Sequence, residues 1–192
     1  MKTAIARGVA VVAMLAAGLL GTNIAQAASW RVLPGSTLGF TATYQGEAFD
    51  GRFARFTPRI DFDPAHLASA RFDVAIVLAS ADTRNSERDD MLHGDGFFNS
   101  GKAPTARYVA TKFRALGGNR FIADGRLSLN GISRPVALSF TWSGGAKPVL
   151  VGTASLNRLD FQVGTGDWTD TGLLPNAVQV KTRLLLAAPA AK

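Results

Sequence analysis

The stretch that decides the fold class is residues 119–142, NRFIADGRLSLNGISRPVALSFTW. Apolar and polar residues alternate on both sides of Asn130-Gly131, which is typical of two strands that each bury one face. An Asn-Gly pair favours a type I′ turn, because both central positions of that turn need a positive φ angle. The stretch therefore predicts an antiparallel hairpin.

Outside this hairpin the same period-two alternation recurs between clusters of Gly, Pro, Asn and Asp. Eight strands are predicted in all, over residues 36–44, 48–62, 69–80, 105–116, 119–129, 132–142, 149–163 and 177–187. A bend or bulge is expected near Thr57 and Pro58, because proline cannot donate to a ladder. Eight consecutive strands with one apolar face each indicate an all-β fold, either an up-and-down antiparallel barrel or a sandwich.

The connection of residues 81–104 is longer than an ordinary loop, so it is either functional or locally structured. Ser86 and Asp89 have the spacing of a capping box, and glycines at positions 94 and 96 end the pattern. We predict one short helix over residues 87–92.

The first 27 residues have the organisation of a secretory signal peptide. Lys2 and Arg7 precede an apolar run of about a dozen residues, too short to span a bilayer, and Ala25-Gln26-Ala27 fits a cleavage site. A membrane anchor is the alternative. The prediction is a periplasmic protein with a cleaved segment 1–27, a single domain over residues 28–188 and a frayed tail over residues 189–192.

Composition limits the chemistry of this chain. It has 192 residues, no cysteine and a formal net charge of +7, so disulfides and thiolate metal sites are excluded. A basic protein outside the cytoplasm argues against nucleic acid as a partner and allows anionic lipids or acidic proteins. The alternative explanation of the charge is solubility alone.

Candidate catalytic groups are few. The only histidines are His66 and His93, and neither lies in a nucleophile motif. One acidic cluster with a histidine occurs, at Asp89, Asp90, His93 and Asp95, and its spacing matches no established metal site. We predict no catalytic residues, no metal and no cofactor.

Large apolar side chains, in contrast, exceed what a small barrel needs as filling. An eight-stranded barrel is either packed solid or hollow around one small ligand, depending on side-chain volumes. Small residues at inward positions, such as Gly51, Gly125 and Gly152, favour the hollow form. The residue pattern alone leaves both forms open.

Several motifs between residues 30 and 186 together resemble the YceI-like family of secreted bacterial lipid-binding barrels. They are Gly51-Arg52-Phe53, Ile60-Asp61-Phe62-Asp63-Pro64, Arg88-Asp89, Phe97-Phe98-Asn99, the hairpin from Gly125 to Val136, and Arg158-Leu159-Asp160-Phe161. The segment from Gly164 to Thr171 further resembles the subgroup associated with cytochrome b561-type membrane proteins.

This resemblance implies an extended, lipocalin-like, eight-stranded antiparallel barrel with a tunnel for an isoprenoid, a quinone or a similar long amphiphile. The expected tunnel-lining residues are Phe40, Phe53, Phe72, Ile76, Leu78, Phe97, Phe98, Leu127, Leu129, Val136, Phe140, Phe161, Trp168 and Val178. The arginines expected to meet a polar head group at the mouth are Arg84, Arg88 and Arg158.

Three functions remain open at this point. The first is a periplasmic carrier that sequesters the amphiphile, with no enzymatic activity. The second is an interaction module for a membrane cytochrome b561-type partner, and the third is a lipid-modifying enzyme that depends on His93 or Asp90. The oligomeric state is not predicted, and a homodimer is compatible with the sequence.

Overall fold

The computed structural model describes residues 29–188 of the chain, so the predicted signal peptide and the predicted frayed tail lie outside the described residues. Eleven β-strands and one α-helix organise this range. The strands are β1 (Ser29–Val32), β2 (Thr37–Tyr44), β3 (Glu47–Phe53), β4 (Phe56–Asp61), β5 (Arg71–Val77), β6 (Ala81–Asp82), β7 (Thr105–Ala115), β8 (Arg120–Leu129), β9 (Ile132–Trp142), β10 (Val149–Asn157) and β11 (Ala177–Ala187). The helix is α1 (Ser86–His93).

These strands form a closed antiparallel barrel of eight walls, because three of the walls are each made of two strands. The first such wall is β1 with β2, which both pair with β11. The second is β3, which pairs with β2, together with β4, which pairs with β1. The third is β5, which pairs with β4, together with β6, which pairs with β3. The remaining walls, β7 to β11, are joined in chain order. The predicted all-β barrel with one short helix is confirmed, and the sandwich is not observed.

The predicted bend near Thr57 and Pro58 is wrong. Pro58 lies within β4 opposite Val74, and the strand breaks earlier, at Ala54 and Arg55. Ser80 explains the position of the break, because its carbonyl accepts from the Ala54 N–H (2.9 Å) and its hydroxyl from the Arg55 N–H (3.0 Å). The backbone donors at the break are thus paired without a continuous ladder.

The end of β10 and the cap of the helix also differ from the prediction. β10 ends at Asn157, because residues Arg158–Phe161 form a 3₁₀ turn. The helix is capped by Asn85, whose side chain accepts from the Arg88 N–H (3.0 Å), and not by Ser86. Asp89 is therefore no part of a capping box, and its carboxylate instead accepts from the N–H of Thr83 (2.8 Å) and its hydroxyl (2.7 Å).

The Asn130-Gly131 hairpin forms as predicted, with φ angles of 52° and 75° and with Leu129 opposite Ile132. Inward positions along it alternate with exposed ones, and they supply two separate hydrophobic clusters. We call the cluster at one end of the barrel the aromatic plug; its rings are Trp30, Phe62, Phe72, Phe113, Phe121, Phe140 and Trp142. The other end, the cap, is formed by α1, residues 94–104 and residues 158–176.

Candidate functional site

The barrel encloses an apolar cavity whose interior offers about 190 Å³ to the centres of water-sized molecules. This is more than about ten times the space that one buried water needs. The wall of the cavity is almost wholly hydrocarbon, with Tyr108, Arg158 and Thr182 as the residues that carry side-chain polar atoms. The barrel is therefore not filled by its own side chains.

The aromatic plug closes one end of the cavity. Phe72 belongs to both, since it lines the cavity and its ring centroid lies 5.3 Å from that of Phe140. Behind it, Phe62 is fully buried and contacts Phe121 and Trp142 at centroid distances of 5.1 and 4.9 Å. Aromatic pairs at these separations stabilise the fold by more than the burial of their surface alone. The cavity is therefore blind at the plug.

Eleven of the fourteen residues predicted to line a tunnel do line the cavity. They come from β2, β3, β5 and the 3₁₀ turn after it, β8, β9, β11 and the cap. They are Phe40, Phe53, Phe72, Ile76, Leu78, Phe97, Phe98, Leu127, Leu129, Val136 and Val178.

The other three predicted lining residues lie elsewhere. Phe140 is in the aromatic plug, stacked on Phe121 with the ring centroids 5.5 Å apart. Phe161 is buried within the cap. Trp168 packs on the outer side of Phe97, with the centroids 5.5 Å apart, so Phe97 lies between it and the cavity.

The inward glycines do not leave empty space as expected. A Cβ atom at Gly51 would overlap the ring of Phe40, and one at Gly125 would overlap the ring of Tyr108. Gly51 and Gly125 thus each make room for an aromatic ring from the neighbouring strand, and a Cβ atom at Gly152 would press against Leu138 and Thr182.

Tyr108 is a cavity residue that the predicted lining lacks, because apolar and polar residues do not alternate regularly along residues 105–116. β7 contains a register shift between Ala110 and Lys112, which interrupts the alternation. The Tyr108 hydroxyl donates to the carbonyl of Ala123 (2.9 Å), and the carbonyl of Val136 is 3.2 Å away. Burial raises the pKa of Tyr108, so the hydroxyl stays neutral and satisfied in the apolar wall.

Arg158 does not offer hydrogen bonds at a mouth, contrary to the expectation. Its guanidinium is buried and donates to backbone carbonyls of the cap, those of Val163 (2.9 Å), Gly164 (2.8 Å), Trp168 (2.6 Å), Leu174 (2.7 Å) and Pro175 (3.2 Å). Burial lowers its pKa, yet a guanidinium stays charged in proteins. Arg158 therefore holds residues 158–176 together.

Arg84 and Arg88 lie outside the cavity lining, Arg84 just before α1 and Arg88 within it. The guanidinium of Arg88 lies 4.2 Å from the ring centroid of Phe49, which itself lines the cavity, and its Nε donates to the Thr83 hydroxyl (2.9 Å). Arg84 is exposed and has a left-handed backbone with φ of 61°. Arg88 is thus separated from the cavity by one aromatic ring.

The acidic cluster of α1 is not arranged as a metal site. Asp89 is held by Thr83, while Asp90 and Asp95 are exposed. Within residues 29–188 no three side chains of His, Asp or Glu converge on one point. The described range also has no helix that combines the length and apolarity of a membrane span.

A family model described as the YceI-like domain matches residues 30–186. The chain belongs to the YceI-like family. Among curated relatives, this YceI-like chain is 31% identical over 137 residues to a UPF0312 protein of Shewanella denitrificans, covering 67% of this chain and 71% of the relative.

Solved structures of other proteins share the barrel of this YceI-like chain. BcnA of Burkholderia cenocepacia matches with a TM-score of 0.75 and 28% identity over 78% of this chain and 95% of BcnA. A domain of Saccharophagus degradans described as polyisoprenoid-binding matches with a TM-score of 0.62 over 85% of this chain and 99% of that domain. Its identity is 17%, so this second likeness concerns the fold alone.

Proposed function

We propose that this YceI-like protein binds one amphiphile with a long hydrocarbon tail, an isoprenoid or a quinone, and carries or sequesters it. The observation that carries the proposal is the blind apolar cavity inside a closed barrel. The polyisoprenoid-binding description of a domain with the same fold supports the ligand class.

The free energy of binding comes from the tail. Each Å² of apolar surface removed from water contributes about 25 cal/mol, so a tail that buries about 300 Å² gains about 7.5 kcal/mol before the ordering cost. No acid, base or metal is needed for this step. Rings such as Phe40, Phe53 and Phe98, which contact one another with centroids 5.6 to 6.4 Å apart, give the wall a firm shape.

A periplasmic location is part of the proposal. It is supported by the signal-peptide pattern of residues 1–27. A cytochrome b561-type partner is a second proposal, supported by the resemblance of residues 164–171, a segment of the cap whose residues Thr165 to Asp167 are exposed.

The decisive experiment is extraction of the purified protein with organic solvent, followed by mass spectrometry and by titration of the stripped protein. We expect one isoprenoid or quinone per chain, and displacement of the neutral fluorescent probe N-phenyl-1-naphthylamine by an added quinone. No extracted lipid together with no displacement contradicts the proposal.

A matched pair of variants locates the binding. Ala154→Phe places a ring in the cavity, whereas Thr153→Phe places the same ring on the outer face of the same strand. We expect the first to weaken quinone binding at least about tenfold and the second to leave it unchanged. Equal effects of the two variants would mean that the ligand is not in the cavity.

A further inference from the structure

The wall of the barrel splits between β9 and β10. The two strands pair from Leu150 opposite Trp142 to Thr153 opposite Ser139, and the ladder then stops. Beyond that point β9 stays paired with β8 as far as Ile132, and β10 stays paired with β11 as far as Asn157. Half of each strand therefore has an unpaired edge that faces the other.

The sequence disfavours pairing at the far end of the split. Continued in the same register, it would set Pro135 opposite Asn157 and Arg134 opposite Arg158. Proline has no N–H to donate, and two like charges directly opposite each other destabilise a sheet. Residues 134 and 135 thus oppose closure of the split at the end where Arg158 begins the 3₁₀ turn.

A groove of about 210 Å³, measured for the centres of water-sized molecules, lies at this split. We call it the split groove, and it is lined by Arg134, Pro135, Val136, Ser155, Leu156, Asn157, Asp160 and Phe161. Val136 and Leu156 line both the split groove and the cavity. A molecule in the groove is therefore separated from the apolar interior by these two side chains.

Arg134 occupies an unusual position in this wall. It is opposite Leu127, which places it in the inward register of β9. All the remaining residues in that register are apolar. Its side chain is exposed and lines the split groove, because the wall is open there. No ion pair among residues 29–188 involves Arg134. Asp160, the acid that shares the groove, accepts from the side-chain amide of Asn157 (3.4 Å).

We propose that the split groove binds the anionic head group, a carboxylate or phosphate, of an amphiphile whose tail passes between Val136 and Leu156 into the cavity. Arg134 is the ion-pair partner of that head group, and unpaired edge N–H groups of the split strands add further donors. The inference rests on the proposed function, because the tail site is the cavity itself.

The test compares oleate with oleyl alcohol, which have the same tail and differ in head-group charge. Displacement of N-phenyl-1-naphthylamine is measured for the wild type, for Arg134→Gln and for Arg183→Gln, which removes one exposed arginine of β11. We expect Arg134→Gln to weaken oleate binding about tenfold and to change oleyl alcohol binding less than twofold. Arg183→Gln should change neither.

Asp160→Asn gives a change of the opposite sign, because it removes the negative charge from the groove. We expect it to strengthen oleate binding by about threefold and to leave oleyl alcohol unchanged. Equal effects of Arg134→Gln on the two lipids, or no effect, overturn the head-group assignment. Failure of both lipids and of an added quinone to displace the probe from the wild type would instead overturn the proposed function.

Discussion

The ring of Phe40 in β2 occupies the space that a side chain at Gly51 in β3 would need. The two residues are directly opposite each other, and a Cβ atom at position 51 would overlap the end of the ring. Phe40 also lines the cavity and contacts Phe53 and Phe98 with centroids 5.6 and 6.4 Å apart. A glycine in one strand therefore sets the position of an aromatic ring in the cavity wall.

Gly51→Ala should destabilise the protein by about 1 to 3 kcal/mol, because the added methyl group has to displace the ring of Phe40. The same variant should change the affinity for a quinone. Gly101→Ala is the control, since a Cβ atom there contacts nothing within 4 Å. Urea unfolding followed by circular dichroism measures the change, and equal stability of the two variants would contradict the role given to Gly51.

Arg158→Met should destabilise the protein by about 3 kcal/mol or more. The substitution keeps an apolar stem but leaves several buried carbonyls of the cap without donors. Arg183→Gln removes an exposed arginine and serves as the control. Urea unfolding again gives the free energies of unfolding. A loss of stability below about 0.5 kcal/mol in Arg158→Met would show that the hydrogen bonds of Arg158 to the cap are dispensable.

Asp73 gives the stability a defined dependence on pH. Hydrogen bonds from Arg107 (2.7 and 2.6 Å) and, secondarily, from Arg71 (2.9 Å) lower the pKa of Asp73 to about 2. A carboxyl with a depressed folded-state pKa stabilises the fold above its unfolded pKa of about 4, and this stabilisation is lost as the pH falls towards 2.

Asp73→Asn should therefore cost about 1 to 2 kcal/mol at pH 7, with part of the ion-pair energy screened at the exposed arginines. The difference from the wild type should shrink between pH 4 and pH 2. Urea unfolding at a series of pH values measures it. A difference that stays constant over this range would argue against the ionised pair as its source.

Phe72→Leu should deepen the cavity, because Phe72 is the ring that joins the cavity to the aromatic plug. We expect a shift of the preferred tail towards longer alcohols, at a cost of about 1 to 3 kcal/mol in stability. Displacement titrations with a series of alcohols from ten to twenty carbons, about two carbons apart, measure the preference. Phe113→Leu, in the plug but away from the cavity lining, is the control, and identical preferences of the two variants would contradict the blind end assigned to Phe72.

Much of the fold could be predicted from the sequence, because it depends on local patterns. The alternation through Phe121, Ala123 and Leu127 specifies one buried face, and Asn130-Gly131 specifies the turn. The position of the break between β3 and β4 could not be predicted, since it depends on Ser80, a residue about 25 positions away that supplies the missing hydrogen bonds.

The candidate site was predictable in its chemistry and less so in its detail. Apolar inward residues such as Phe98 and Leu129 line the cavity as expected. Phe140 has the same inward pattern but lies outside the cavity lining, because alternation gives the face of a residue and not its height along the barrel. Phe161 lies outside it because the strand ends before it, in a 3₁₀ turn. Arg134 could have been found, since it is the one charged residue in the inward register of its hairpin strand.

β11 is the strand that closes the barrel against β1 and β2. Gln179 in β11 pairs with Thr41 in β2, and Leu186 pairs with Val32 in β1. Contacts between such distant segments form slowly, because a long loop has to be closed first. A polypeptide that lacks β11 would not be a smaller stable domain; it would present two open sheet edges, and we expect it to aggregate.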